Sequence, residues 1–420
     1  MINKLYNKSK ILMSNVLYAV QSKTWKRQND IILFGAWFGE KFADNSRFLF
    51  QYLDKNKKEL KLSHVVWVTR NETLCNQLTL MGYEAYMIGS EESTYYHKKA
   101  GMHILCNASS DRNGSKPDIQ HELSFGAKRV NLWHGVGVVK GVGCDSLEYK
   151  RKKELRPLIY KIKEGLEKFK LYRLFVQEKG GWGDFYFLSP TPTTTKQFKR
   201  FSYIPEKNFI ESLYPRTCSC IEHFSHEKEV ITEMNKYSAV ILYLPTFRTG
   251  QNRFDFTSVA NRLQNILLEH NILWIQKAHS ASGVGKIGSA DKNILSLNHD
   301  FDINVLIPHI DILITDYSSA ASDARFFRKP VLFYVPDIDD YMNGENGVTE
   351  EAEELLSGPK FYDEEQLQLG IVESLKNPNS AKPDNYEMIR SKYWGKDKDM
   401  KQIWIDICKT SKFNGMHKIL

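Results

Sequence analysis

The sequence predicts an α/β protein of two Rossmann-like domains, each a doubly wound parallel sheet. Three observations carry this. Short apolar runs of strand length alternate with segments of helical periodicity from Ile31 to Gly135. The same alternation restarts near Ser238 and continues to Tyr334. The length, 420 residues, exceeds what one ordinary core organises and suits two domains. The strand runs are apolar on both faces, as in parallel sheets covered by helices on each side.

In order, IILFGAWF from Ile31 reads as a buried strand ending in a glycine turn, and Ser46 to Leu53 as a helix. HVVWVT is the next strand, a helix opens at Glu72, EAYMIG and MHILCNA are strands around a helix end at YYHKKAG, and RVNLWHG is a strand running into a glycine-rich loop. In the second series SAVILYLPTF, ILWIQKAH, DILITDY and PVLFYV read as strands. Phe256 to His270, the stretch opening at SSAASDARFF, Phe361 to Asn377 and Tyr386 to Cys408 read as helices. The expected division is a basic amphipathic segment at 1–28, a first domain at 29–215, a second at 216–385, and a C-terminal helix and tail at 386–420, with the join between Pro205 and His226.

The formal charge of +8 calls for an anionic partner: nucleic acid, an acidic membrane or a phosphate-rich substrate. Two blocks concentrate it. In the first, Ile2, Leu5, Leu12, Val16 and Leu17 fall near one helical face, and Lys4, Lys8, Lys10, Lys23, Lys26 and Arg27 supply only positive charge. In the second, 149–173, Leu155, Ile159, Ile162, Leu166 and Phe169 recur at helical spacing among lysines and arginines. Basic amphipathic helices suit the surface of an anionic bilayer. A solvated face is the plainer reading of either block alone. No nucleic-acid motif accompanies the charge, so nucleic acid is not expected as a partner. No apolar run approaches the ~18 residues of a membrane span. The N-terminus lacks the pattern of a secretory signal. The six cysteines, without a C-x-x-C pair, read as reduced thiols. A cytoplasmic protein, dissolved or attached to the membrane surface, is expected.

Four constellations carry chemistry. NLWHGVGVVKGVG delivers His134 at a strand's carboxyl end, where doubly wound sheets bind ligands. A histidine there suits a general base, Gly135 and its fellow glycines admit close backbone approach, and Lys140 is placed to meet a phosphate. In LPTFRTG, Thr246 and Arg248 follow a strand end, and arginine grips phosphate bidentately. In QKAHS, Lys277 and His279 alternate, so an extended stretch sends both to one side. In DILITDYSSAASDARFF the strand ends at Asp316, and Ser318 and Ser319 sit where a helix begins, with Asp323 one turn on. A helix N-terminus offers free N–H groups to a phosphate, although serine there also serves as a plain cap. No cluster has the spacing of a zinc or calcium site, and whether a divalent ion takes part is left open.

The strings LWHGVGVVKGVG, FLSPTP, YPRT, LPTFR, KAH and DINVLIPHIDILITDYSSAASDARFFRKPVLFY resemble, in order, the CDP-glycerol:poly(glycerophosphate) glycerophosphotransferase family, across roughly Phe34 to Trp394. The resemblance implies a GT-B-like fold whose domains face a cleft, the first taking the acceptor and the second the CDP donor. It implies peripheral attachment to the inner face of the cell membrane, no tightly bound cofactor, and a teichoic-acid-like or capsular product. Asp44 and Asn45 match the family's Asp-Asn pair on the acceptor side. His134 matches the proposed general base, His279 the histidine beside the donor phosphates, Arg248 the arginine after the Pro-Thr-Phe turn, Ser318 and Ser319 the phosphate-binding pair, and Asp323 the downstream acid. The chain departs from the pattern where Ala278 and Ser280 replace prolines beside His279, and where Leu213 precedes and Thr217 follows the Tyr-Pro-Arg string.

The implied reaction is attack by an acceptor hydroxyl on the phosphorus that carries the polyol of CDP-glycerol or CDP-ribitol, with CMP leaving and His134 taking the proton. The acceptor would be a polyol-phosphate or glycan chain, lipid-linked. Two alternatives are a GT-B glycosyltransferase using a nucleotide sugar, which would release a nucleoside diphosphate, and a non-catalytic scaffold at the membrane surface. Polyol, acceptor and oligomeric state are not specified by the residues.

Overall fold

The computed structural model describes residues 2–107, 116–167, 169, 186–201, 204–219, 222–246, 258–277, 293–342 and 347–413. It contains two wholly parallel sheets. The first orders its strands β3-β2-β1-β4-β5-β6-β7, from β1 (Gln28–Phe34), β2 (His64–Thr69), β3 (Glu84–Met87), β4 (Ala100–Leu105), β5 (Lys128–Asn131), β6 (Tyr186–Ser189) and β7 (Phe209–Glu211). The second is ordered β10-β9-β8-β11-β12-β13, from β8 (Ala239–Leu244), β9 (Ile272–Lys277), β10 (Ile294–Leu297), β11 (Ile312–Thr315), β12 (Val331–Tyr334) and β13 (Lys360–Phe361). Each starts in the middle, winds outward, returns and winds the other way. The reversal lies between β1 and β4 in one sheet and between β8 and β11 in the other. Crevices form there, beyond the carboxyl ends of the strands.

Alternation along β1 shows how the sheet is covered. Ile31 and Leu33 pack with Val66, Val68, Ala100, Leu105 and Ile119. Phe34, on the other face, stacks on Trp67 at 6.3 Å and meets Phe50 edge-on at 5.5 Å, with Phe42 and Tyr83 closing the cluster. Trp67 is fully buried, and truncating an aromatic of this kind typically costs about 3–5 kcal/mol. In the second sheet Ile241, Tyr243, Trp274, Ile312 and Ile314 form the equivalent core against Leu263, Leu267, Leu367 and Ile371.

The chain clusters into two compact units whose bounds differ from the sequence-based division. One holds Met1–His134, Arg151–Ile221 and Asp397–Leu420; the other holds Gly135–Lys150 and Glu222–Lys396. The glycine-rich segment after His134 therefore belongs to the second unit. The Thr349 N–H and hydroxyl donate to the carbonyls of Val139 and Val138, and Gly141 N–H to Gly347. The final helix belongs to the first unit because Asp406 receives Ser212 Oγ at 2.7 Å and Lys398 Nζ donates to Glu211 O at 3.2 Å. The N-terminal segment also joins it. Trp25 is buried against Leu123 and Phe125, with Tyr18 and Ala19 packed on them. Arg27 is not part of a membrane-facing charge stripe. Its guanidinium donates to the carbonyls of His97, Ala100, Leu123 and Phe125, and burial lowers its pKa to about 10.

Three long helices expected from periodicity are broken. The basic stretch at 149–173 forms Leu147–Leu155 and Pro157–Glu167, because Pro157 lacks an N–H and disfavours helical geometry at Arg156; its last residues lie largely outside those described. The C-terminal stretch divides into Tyr386–Trp394 and Met400–Ser411 at Gly395, whose φ is +70°. Between Phe256 and His270 the described part is Val259–Arg262 and Gln264–Glu269. Strands β6, β7, β10 and β13, two to four residues long, are additional to those the sequence predicts.

His97 is buried in the first unit as a neutral ring. Its Nδ1–H donates to Ser93 O at 2.7 Å and its Nε2 accepts from Gln120 N–H at 3.1 Å. Burial lowers its pKa to about 4. A depressed histidine pKa stabilises the fold fully above the unfolded value of ~6.5, and that contribution fades as pH falls towards the folded value. Urea unfolding should therefore lose about 2 kcal/mol between neutral pH and about pH 5 through this group. A His97→Gln protein should show a correspondingly shallower pH dependence over the same interval.

Candidate active site

In the first unit the carboxyl ends of β1, β4 and β5 deliver three loops to one place, and a buried carboxylate ties two of them together. Asp118 Oδ1 accepts from Phe38 N–H at 2.6 Å, just beyond β1. Its Oδ2 accepts from Cys106 and Asn107 N–H, both at 3.0 Å, just beyond β4. The carbonyl of that same Cys106 lies 3.0 Å from His134 Nδ1. A carbonyl can only accept, so Nδ1 carries the proton and the neutral ring presents its lone pair at Nε2. Burial lowers the His134 pKa, against the opposing pull of the Asp44 charge and the Cys106 hydrogen bond. The ring is thus held neutral, in the tautomer a general base requires.

Beneath this ring lies the Asp-Asn pair. Asp44 and Asn45 are 2 % and 0 % exposed, so they face the protein interior. Asn45 Nδ2 donates to the carbonyls of Leu132 and Trp133 at 3.3 and 2.9 Å, and its Oδ1 accepts from Arg216 N–H at 3.2 Å. Asp44 Oδ1 takes Arg216 Nη1 at 2.5 Å, with both side chains 3 % exposed. The Asp44–Asn45 pair therefore braces the backbone entering His134. Arg216, from the Tyr-Pro-Arg string, had no assigned role in the sequence, yet it completes the brace. Removing one partner of a buried pair usually costs about 3–5 kcal/mol, because the other charge is stranded. Asp118 and Trp37 were also missed. Asp118 stands alone in a polar stretch and no local pattern marks it.

In the second unit the crevice lies between β8 and β11. Asp316, at the end of β11, accepts from Thr246 N–H at 2.9 Å, from Thr246 Oγ1 at 2.6 Å and from Tyr317 N–H at 2.5 Å. These two residues lock the loop after β8 to the loop after β11. Ser318 and Ser319 follow, half-buried. Ser319 is the N-cap of Ala320–Phe326 yet makes no side-chain capping bond. Gly135 packs on it, since a Cβ there would lie 3.0 Å from Ser319 Oγ. Gly137 has φ +72°, and a Cβ would come within 2.6 Å of Leu355 and Ser322; glycine meets both demands. Asp323 is buried within that helix. Lys277 donates to Phe301 O at 3.0 Å. Lys140 is exposed beside its bridge to Val348. Arg248 and His279 lie outside the described residues. Among the described residues no group of three or more His, Cys, Asp or Glu is arranged to hold a metal ion.

The model of the CDP-Glycerol:Poly(glycerophosphate) glycerophosphotransferase family matches residues 16–400. The teichoic acid poly(glycerol phosphate) polymerase of Bacillus spizizenii is 26 % identical over 402 residues, covering 90 % of this chain and 93 % of that protein. The teichoic acid glycerol-phosphate transferase of Staphylococcus aureus is 23 % identical over 386 residues, covering 88 % and 90 %. The chain spans about half the length of two further polymerases of the first kind. A solved structure of the wall teichoic acid polymerase TagF aligns over 98 % of this chain and 97 % of its own, with TM-score 0.63 at 18 % identity. The two parallel α/β units have the GT-B-like plan of that structure, and the chain belongs to the CDP-glycerol:poly(glycerophosphate) glycerophosphotransferase family.

Proposed function

We propose that this protein transfers glycerol phosphate from CDP-glycerol to a terminal hydroxyl of a polyol-phosphate chain, releasing CMP. The observation that carries the reading is the neutral His134, with Nδ1 committed to Cys106 O and Nε2 left as the basic atom at the carboxyl edge of the sheet. The two relatives that it matches nearly end to end are glycerol-phosphate enzymes, which favours CDP-glycerol over CDP-ribitol as donor. The acceptor oxygen attacks the phosphorus bearing glycerol, the bond from that phosphorus to the CMP oxygen breaks, and the hydroxyl proton passes to His134 Nε2. Such transfers depend on positioning and on charge stabilisation more than on covalent chemistry.

The second unit would hold the donor. The helix start at Ser318 and Ser319 would offer N–H groups to the donor's phosphates, and Arg248, Lys277 and His279 would add positive charge. Asp316 would serve by fixing the Thr246 loop, and Asp323 by supporting the helix from within. A His134→Ala protein should release CMP from CDP-glycerol about 10²–10⁴-fold more slowly than wild type with a membrane-derived acceptor. Near-normal turnover would falsify the base assignment, and UDP release from UDP-sugars would favour a glycosyltransferase instead.

The site of action would be the inner face of the cell membrane, on a lipid-linked acceptor. No helix among the described residues is long and apolar enough to cross a bilayer. Two helices instead expose apolar side chains. On Ile2–Gln21 these are Met13, Leu17 and Val20; on Pro157–Glu167 they are Leu158, Ile159 and Ile162. Sedimentation with phosphatidylglycerol vesicles should capture the wild type. Ile159→Glu with Ile162→Glu should weaken that capture at least about tenfold and leave the fold intact, since both side chains are exposed.

A further inference from the structure

Trp37 sits in a backbone conformation that a large side chain avoids. Its φ is +44°, and Phe38 and Gly39 follow at +63° and +78°. Such residues cost roughly 1–3 kcal/mol each and persist only where their surroundings over-determine them. Here the surroundings do so twice. Asp118 takes the Phe38 N–H, and Arg70 Nη1 donates to Phe38 O at 2.7 Å and to Pro117 O at 2.5 Å. The turn therefore does not relax, and its product is the placement of one ring. The Trp37 indole lies 5.4 Å from the His134 imidazole, tilted by 47°. Trp133, itself at φ +57°, lies 4.3 Å from the same imidazole. Trp133 is held by Phe187 and Phe198, so both indoles are fixed.

We infer that Trp37 is a positioning residue for His134: the clamped turn holds its indole as an apolar wall that fixes the imidazole against the Cys106 carbonyl. The inference rests on His134 being the base. The same Asp118 carboxylate that pins the turn also pins the Cys106 N–H, so wall and carbonyl acceptor share one anchor. The charged groups around the imidazole are Asp44, Asp118 and Arg216, and Lys41 lies over the Trp37 ring at 5.7 Å. An indole face beside an imidazolium favours the charged form, whereas exclusion of water disfavours it. The net direction at His134 is downward, with burial the largest cause, so the wall acts chiefly by excluding water.

The test removes the ring without straining the turn. Trp37→Gly accepts the positive φ, and Trp37→Asn, another residue tolerant of that region, serves as an independent second variant. Trp37→Phe restores an aromatic wall. The His134 ring would be followed by NMR in the full chain with ¹³C-labelled histidine, its signal identified by its loss in His134→Gln. The pH dependence of kcat with CDP-glycerol would be measured alongside. The titration midpoint of His134 should move up in Trp37→Gly and Trp37→Asn and return in Trp37→Phe. In the first two variants kcat should fall on the order of tenfold to a hundredfold, with KM for CDP-glycerol little changed. An unmoved or lowered midpoint in both variants overturns the inference, whatever the rate does. A raised midpoint with an unmoved kcat profile leaves the positioning role standing and removes His134 as the base.

Discussion

The buried carboxylate of Asp118 closes the reversal point of the first sheet. Between β1 and β4 the chain leaves the sheet in opposite directions, so the loop N–H groups there have no ladder partner. A buried N–H without an acceptor is costly. Asp118 collects those of Phe38, Cys106 and Asn107, and the Asn107 amide as well. A carboxylate can accept from several donors at once, which a neutral side chain cannot match. The active-site geometry follows from this: the Cys106 carbonyl is set by its own N–H, and the carbonyl sets the tautomer of His134.

The brace below works on the opposite terms. Asp44 and Arg216 are charges buried away from water, and a pair of that kind is weak evidence for stability, since its desolvation offsets most of its attraction. Its worth lies in specificity of position. Arg216 reaches Asp44 with its guanidinium and Asn45 with its backbone, and Asn45 in turn fixes the two carbonyls before His134. Asp44 holds φ +62°, so strain is stored here also. These residues, which touch no substrate in the proposed reaction, define where the His134 ring sits.

Much of the fold was legible because parallel strands are apolar on both faces, and runs such as HVVWVT and DILITDY announce themselves. The position of His134, Asp316 and Ser319 in the fold was legible for a related reason: each follows such a run, at the carboxyl end of a strand. What escaped was whatever depended on contacts between distant segments. Asp118 meets its partners 80, 12 and 11 residues away, and Arg216 meets Asp44 across 172. The allocation of Gly135–Lys150 to the second unit was hidden likewise, because it follows from bonds to Gly347 and Thr349. Helix ends were misread where one residue mattered more than periodicity, as at Pro157 and Gly395.

The second sheet meets the same problem at its own reversal point and answers it in the same way. Between β8 and β11, Asp316 collects the N–H groups of Thr246 and Tyr317 and the Thr246 hydroxyl. A carboxylate so close to a proposed phosphate site looks misplaced, since like charges repel. Its charge, however, is already met by those donors. The helix start therefore keeps its positive end while the loop after β8 is locked in register with it. Two buried acids, one per unit, are committed to loops, so that the neutral His134 ring in one and a helix terminus in the other hold their positions. Preorganisation of that kind is what a transfer between two anionic substrates demands, because neither can be steered by a group free to reorient in their field.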